Sequence, residues 1–532
     1  MRAMRELAEV HASLPEDRPL SFDEAIDLHR GAVSRRQLLK GAGVLGTAAV
    51  LAGPPLAALA RSRRRLASDP RVVVVGAGLA GVSCAYKLQL NGVHADLYES
   101  RDRVGGRCWS ARTFAGGQVA EHGGEFVDTR HVQLRRLVAA LGLHLDDLWP
   151  AYAAEHGAHE LLVIDGAVQD RHDVREHFDV VIRRLARDAR KVGPYRWGEA
   201  GPAARAFDRM TMREWMDQNV PGGSTSLLGK TMDVGLTGFW GIDPEDTSAI
   251  TLLDTYITPY PGGPADERYH IRGGNDQVPN MLADLLPPGA LHLEAPLVSM
   301  TKLPDDSYAL RFGDSTVDVI ADHVVLCLPF TALRDVDLDG AGFDAKRLKS
   351  IREIGMGTNA KVLLQFQDRF PTFGWNGSFE TDAPKSDSWD SALAEPGNGG
   401  LLTIFTGGKT GAGYPADEAH APAPQSVVDD ALGFLDTYLP GMQASFNGNA
   451  WLDSWVDDPW VKGSYAAFLP GQWTEFFGYM GRPTGNVHFA GEHTSTYSQG
   501  YLNGGVETGL RAAREVLQAA GRHVRPVVEA AR

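Results

Sequence analysis

The first legible pattern begins at residue 71. Arg71-Val72-Val73-Val74-Val75 is an unbroken β-branched run, which predicts a strand buried on both faces of a parallel sheet. Residues 82–91 carry apolar side chains at helical spacing and stop at Gly92, a natural helix terminator. Residues 93–98 then read as a second strand, closed by Glu99. Further strands are predicted at 291–298, at 321–329, after Lys361 and at 487–490, and helical spacing resumes over 502–511. Strands alternating with helical stretches predict an α/β (α+β) chain. The pattern over 151–270 is the least regular, and its Trp197, Trp215, Phe239 and Trp240 suit either a core or a cavity wall.

Between the first strand and its helix stands Gly76-Ala77-Gly78-Leu79-Ala80-Gly81. Each glycine has a mechanical role: Gly76 permits the tight turn, Gly78 lets backbone approach a pyrophosphate, and Gly81 lets helix and strand pack closely. The helix start then offers unpaired N–H groups and a positive dipole end to phosphates. Glu99 follows at the distance of an acid that accepts ribose hydroxyls. Strand, glycine turn, helix, strand and acid together predict a Rossmann-like dinucleotide site.

Directly after Glu99 comes Ser100-Arg101-Asp102-Arg103-Val104-Gly105-Gly106-Arg107, and later Gly123-Gly124-Glu125-Phe126. Residues 487–509 run Val-His-Phe-Ala-Gly-Glu-His-Thr-Ser-Thr-Tyr-Ser-Gln-Gly-Tyr-Leu-Asn-Gly-Gly-Val-Glu-Thr-Gly. In these segments the chain resembles the flavin amine oxidase family, over most of residues 70–522. The resemblance implies FAD, held by Gly76, Gly78, Ala80, Gly81, Glu99, Ser100, Arg101, Gly106, Arg107, Gly123, Gly124, Glu125, Phe126, Leu297, Glu492, Gly500, Tyr501 and Leu502. Glu125 departs from the family pattern and is expected to face the active site or to form a structural pair. The FAD domain is expected from 70–145, 268–335 and 452–522, with a substrate domain of mixed sheet and helices from 146–267 and 336–451.

The resemblance also assigns the chemistry. Tyr465 and Tyr501 match the tyrosines that flank a substrate nitrogen; facing π-systems attract and orient an amine. Lys361 matches the lysine that holds a water near flavin N5, and an inward lysine needs partners. Ser464 stands where some relatives attach FAD through cysteine, so non-covalent FAD is expected. The implied reaction is hydride transfer from the α-carbon of an amine to flavin N5. The imine then hydrolyses to a carbonyl compound, and O2 is reduced to H2O2. His493 is expected to be structural or to sit at the substrate rim.

Other readings stay open at this level. An L-amino-acid oxidase needs an arginine clamp for the carboxylate, with Arg112 and Arg130 as candidates. A polyamine preference needs acids along a tunnel, with Glu125, Asp128, Asp243 and Glu245 as candidates. A flavoprotein without turnover, or a desaturase-like or isomerase-like relative, would not need the paired tyrosines. A NAD-dependent dehydrogenase is disfavoured by the C-terminal segment. A homodimer is left open.

Composition adds little except at the N-terminus. The chain has 532 residues, 43% hydrophobic, with a net charge of -15, which excludes a general basic nucleic-acid surface. Cys84, Cys108 and Cys327 form no disulfide framework and no metal-ligand spacing; Cys84 and Cys327 are expected in the core. Ser34-Arg35-Arg36-Gln37-Leu38-Leu39-Lys40, followed by an apolar run interrupted by glycines, Pro54 and Pro55, reads as a twin-arginine signal. Ala58-Leu59-Ala60 fits cleavage after Ala60, predicting export by the twin-arginine machinery to the periplasm or beyond, although an uncleaved anchor is the alternative.

Overall fold

The computed structural model describes residues 70–154, 159–258 and 265–522. The expected signal and its cleavage point lie outside them. At the centre is a five-stranded parallel sheet, in the order Val487–Phe489, His323–Leu326, Val72–Val75, Ala95–Tyr98 and Leu291–His292. Three separate stretches of chain therefore build one layer. Val72–Val75 lies in its middle with every side chain buried, which is why that run is entirely β-branched.

Two predicted strands prove to be pairs. Residues 291–298 divide into Leu291–His292, in the parallel sheet, and Leu297–Lys302, in a three-stranded antiparallel sheet. Glu294 between them takes a positive φ of 53°, and its N–H bonds to the Arg101 carbonyl, so the chain turns there. Residues 321–329 likewise divide at Asp322, whose carboxylate accepts from the Arg71 backbone N–H at 2.7 Å. The glycine-turn helix, Leu79–Leu90, starts before its periodicity does, because the turn runs straight into it.

That helix packs along the C-terminal helix, Leu502–Ala519. Gly505 and Gly509 make the contact: a Cβ at Gly505 would stand 3.2 Å from Leu79 Cβ, and one at Gly509 would overlap the Ala80 carbonyl. Small residues at this crossing bring two helix N-termini side by side.

The second layer is an eight-stranded mixed sheet. Its order is His420–Pro422, Phe446–Ser454, Ala360–Phe366, Leu401–Thr406, Asp387–Asp390, Trp375–Thr381, His159–Ile164 and Ala167–Val168. One face packs Leu364, Phe366, Phe379 and Leu402 against the helix Gln425–Tyr438. The other face looks towards helices that include Arg171–Val192 and Leu227–Trp240. Among the described residues, no helix is long and apolar enough to cross a membrane.

Candidate active site

A cavity of about 560 Å³ runs from the parallel sheet to the mixed sheet. Gly76, Gly78, Leu79 and Ala80 line one end, with Leu502 and Gly505 of the partner helix beside them. Neither helix start is capped by a side chain, so both present N–H groups and positive dipole ends to this space. Glu99 borders it too: one oxygen accepts the Ala77 N–H at 2.7 Å, and the other accepts the Arg101 N–H at 3.0 Å. Two uncapped helix starts, a glycine floor and a carboxylate fit a dinucleotide. Gly81 does not line the cavity; a Cβ there would overlap the Gly76 carbonyl, which is the packing role its motif position demands.

Arg107 reaches the Ser464 carbonyl at 2.6 Å and Glu492 at 2.9 Å. Glu492 also accepts from the backbone N–H groups of Ala466, at 3.1 Å, and Gly500, at 2.9 Å. One buried carboxylate thus staples the loop after Tyr465 to the loop before Tyr501. Both tyrosines line the cavity. The Tyr465 hydroxyl donates to the Phe239 carbonyl at 2.5 Å, and its ring lies against Gly500, where an added Cβ would be 3.6 Å away. Burial, then the neighbouring Tyr501, pushes the Tyr465 phenol well above its ordinary range, so it stays neutral.

Lys361 points inward and is buried. Its ammonium donates to the Glu121 carbonyl and to Glu125, each at 2.9 Å, and lies 5.3 Å from the Trp389 ring. Glu125, the departure from pattern, is therefore the lysine's counter-ion. Register across the mixed sheet carries the wall onward: Lys361 pairs with Phe405, Phe405 with Asp387, and Asp387 with Glu380. Directly opposed residues share a face, and all four line the cavity. Glu160 and Arg171 close this end, with Arg171 3.2 Å from Glu160 and 3.4 Å from Glu380.

Of the predicted cofactor residues, Ser100, Arg101, Gly106, Gly123, Gly124, Phe126 and Gly500 also border the cavity. Leu297 does not; it is buried in the core at the start of the antiparallel sheet. Phe239 and Trp240 are wall residues, whereas Trp215 is a core residue bonded to Asp188 and Trp197 packs on Tyr479. Arg112 is taken by Asp276 and Arg130 by Asp128, and neither borders the cavity. Asp128, Asp243 and Glu245 are not on its wall either, the last two lying beside Lys409. His493 is a structural residue, buried edge-on against Phe330; burial, then Arg107, Arg511 and Arg347, holds its imidazole down to about 3.

Sequence reasoning missed Glu160, Arg171, Glu380, Asp387, Trp389 and Phe405. Their one signal was alternation: Asp387 and Trp389, or Ser378 and Glu380, lie two apart on strands and so share a face. His122 was missed as well; it lines the cavity with its Nδ1 2.9 Å from the buried Asp453.

A dinucleotide cradle opening onto a cavity walled by aromatic residues of the mixed sheet is the arrangement of an oxidoreductase that works on a bound organic cofactor. The chain belongs to the family described as flavin containing amine oxidoreductase, whose model matches residues 79–517. An L-amino-acid oxidase of Mus musculus is 26% identical over 84% of this chain and 71% of its own length. The flavin-containing amine oxidase B of Homo sapiens is 24% identical over 85% of this chain and 86% of its own. The solved cyclohexylamine oxidase from Brevibacterium oxydans IH-35A superposes with a TM-score of 0.74 at 23% identity, covering 85% of this chain and all of that one. The family membership makes the protein a flavin-dependent amine oxidase.

Proposed function

We propose that the chain binds FAD non-covalently and oxidises amines rather than amino acids, with O2 as electron acceptor and H2O2 as product. The observation that carries this is the state of the cavity's cations. Arg101 is paired with Asp458, Arg107 with Glu492, Arg171 with Glu160 and Glu380, and Lys361 with Glu125. Among the described residues, every lysine and arginine on the wall already holds a carboxylate. An α-carboxylate entering this site would have to displace one of them at the cost of a buried charge.

Bound FAD would supply the acceptor for the hydride equivalent that leaves the substrate's α-carbon. The chain does the rest. Tyr465 and Tyr501 orient the substrate amine, Glu492 fixes both loops, and Lys361, hydrogen-bonded to the Glu121 carbonyl and to Glu125, would be the group placed to favour the oxygen step. Non-covalent binding is supported by Ser464, whose hydroxyl is spent on Asn359 at 2.6 Å. It is further supported by the thiols of Cys108 and Cys327, both bordering the cavity and both pushed up by burial, Cys327 to about 12.

The test is an anaerobic titration of the purified protein, followed in the flavin absorbance bands. Bleaching by amines, reversed by air with peroxide release, is expected; bleaching by L-amino acids alone would move the assignment to an amino-acid oxidase. Acid precipitation should leave the flavin in the supernatant as FAD, and a yellow pellet would refute non-covalent binding. We further propose twin-arginine export with cleavage after Ala60. Replacing Arg35 and Arg36 by lysine should trap the unprocessed chain in the cytoplasm, and unchanged export would remove that reading.

A further inference from the structure

We propose that His122, held in position by Asp453, gives the proton that the reduction of O2 requires. This rests on O2 being the electron acceptor, as read above, and assigns a further residue to that step.

The mixed sheet sets the arrangement. Its register row also runs from Lys361 towards the other edge: Lys361 pairs with Asp453, and Asp453 with His420. His122 comes to this row from outside the sheet, directly after the short strand Ala120–Glu121. The Glu121 carbonyl is the one that accepts from Lys361 at 2.9 Å, so His122 stands one peptide from that contact. Asp453 is fully buried and accepts from His122 Nδ1 at 2.9 Å, from His420 Nδ1 at 2.8 Å and from the Trp451 indole at 3.3 Å. A carboxylate at Nδ1 fixes the neutral imidazole with its proton there and leaves Nε2 as the nitrogen that exchanges. His122 is only 4% exposed and lines the cavity, and its Nε2 has no hydrogen-bond partner among the described residues. Trp109 and Trp451, with ring centroids 3.9 Å and 5.4 Å away, give the imidazole aromatic neighbours that favour its charged form.

The groups around His122 are balanced in charge. His420 bonds a carboxylate through each nitrogen, Asp453 and, at 3.0 Å, Asp458, so both nitrogens donate. Burial works against that imidazolium, but the two carboxylates outweigh it and raise its titration. Asp458 in turn holds Arg101, and Glu125 holds Lys361. A proton can therefore come and go on His122 without leaving any of these neighbours unpaired. The balance of the oxygen step asks for one such proton. The hydride carried by the cofactor, O2 and one H+ give H2O2, with both electrons supplied by the hydride. The His122 Nε2–H bond breaks as the second O–H bond forms, and water entering the cavity restores the proton.

The experiment reduces the purified holoprotein with light or dithionite, so that no amine is needed, and mixes it with O2 in stopped flow. His122→Asn keeps an N–H for Asp453 but has no proton to give. H122N should retain its flavin and its Tm and reoxidise roughly a hundredfold more slowly. H122A should be as slow and should regain rate as imidazole is added. An H122N rate equal to a fast native rate would overturn this proposal alone, as would an H122A rate that imidazole leaves unchanged. Native reoxidation no faster than that of free flavin would overturn oxygen as the acceptor, and this proposal with it. Should the variants lose flavin, NMR of native protein labelled at the histidine nitrogens, with and without flavin, reads the ring directly. A neutral His122 protonated at Nδ1 would sustain the proposal, and one protonated at Nε2 would overturn it.

Discussion

The two ends of the cavity handle charge in opposite ways. At the cofactor end, polar groups are closed on one another: Glu492 binds Arg107, Ala466 and Gly500, and Glu99 binds Ala77 and Arg101. At the sheet end, Glu160, Glu380, Asp387, Asp266 and Glu267 border the same space with one arginine among them. The difference teaches what each end is for. A cofactor that stays bound needs walls that do not move, so their hydrogen bonds are completed internally. A wall that meets only a transient guest can leave a group unsatisfied, and Asp387 Oδ1 is buried there without a hydrogen-bond partner among the described residues.

If the cofactor end is rigid by packing, the largest effect comes from its tightest contact. Gly81→Ala would drive a Cβ into the Gly76 carbonyl between helix and strand. The expected cost is at or beyond about 3 kcal/mol, with flavin lost from the purified protein. A yellow G81A protein with unchanged Tm would show that this turn has slack. Next comes Glu492→Gln. The variant loses the Arg107 ion pair and one acceptor for the tyrosine loops, a loss of about 3 kcal/mol for a buried pair. It should lower kcat/KM for every amine by a hundredfold or so, without regard to substrate charge. A loss confined to a few of the amines tested would erase the contrast between the two ends.

Lys361 sits where the ends meet, and its partner decides how a variant is read. Lys361→Met alone leaves Glu125 buried without a cation, so lost stability would mask lost chemistry. Pairing it with Glu125→Gln restores the charge balance. The double variant should regain much of the Tm that K361M loses, yet reoxidise its flavin at least about tenfold more slowly than native protein, a range consistent with losing one fixed charge. Native-like reoxidation in stopped flow would remove Lys361 from the oxygen step.

The cofactor end was legible in sequence because it is built locally. Gly76 to Glu99 is one strand–helix–strand unit, and its constraints are written as glycines at fixed offsets. The tyrosines and Lys361 were legible only through resemblance, since nothing local marks a cavity-facing tyrosine. The acid row was illegible for a physical reason. Lys361, Phe405, Asp387 and Glu380 meet through strand pairing, and register is set by long-range packing rather than by neighbours in the chain. The same limit explains the candidates that failed: Arg112 lies close in sequence to the cofactor motif, but Asp276, far along the chain, had already claimed it.

The smallest predicted effect sharpens the comparison most, because the two ends should bend stability with pH in opposite directions. Burial and then Glu380 and Glu267 hold the Asp387 carboxyl well above its ordinary range, with Arg171 and Tyr465 also facing that end. Its folded value exceeds the unfolded one, about 3.9, so stability falls as pH rises through the interval between them. Asp387→Asn removes that fall: it should match native protein near pH 4 and exceed its Tm by a few degrees at neutral pH, as relief of an unpaired buried charge allows. His493 has the reverse sign. Its folded value is about 3, below the ordinary 6.5, so the unfolded chain binds the extra proton and stability is lost as pH falls through that window. Each such histidine contributes a slope of about 1.4 kcal/mol per pH unit inside the window. His493→Phe, beside Phe330, should flatten the acid side of the Tm curve and leave the neutral side alone. Parallel curves for H493F and native protein, or a D387N curve that never rises above native, would mean that the contrast between a closed and an open end is one of shape and not of charge.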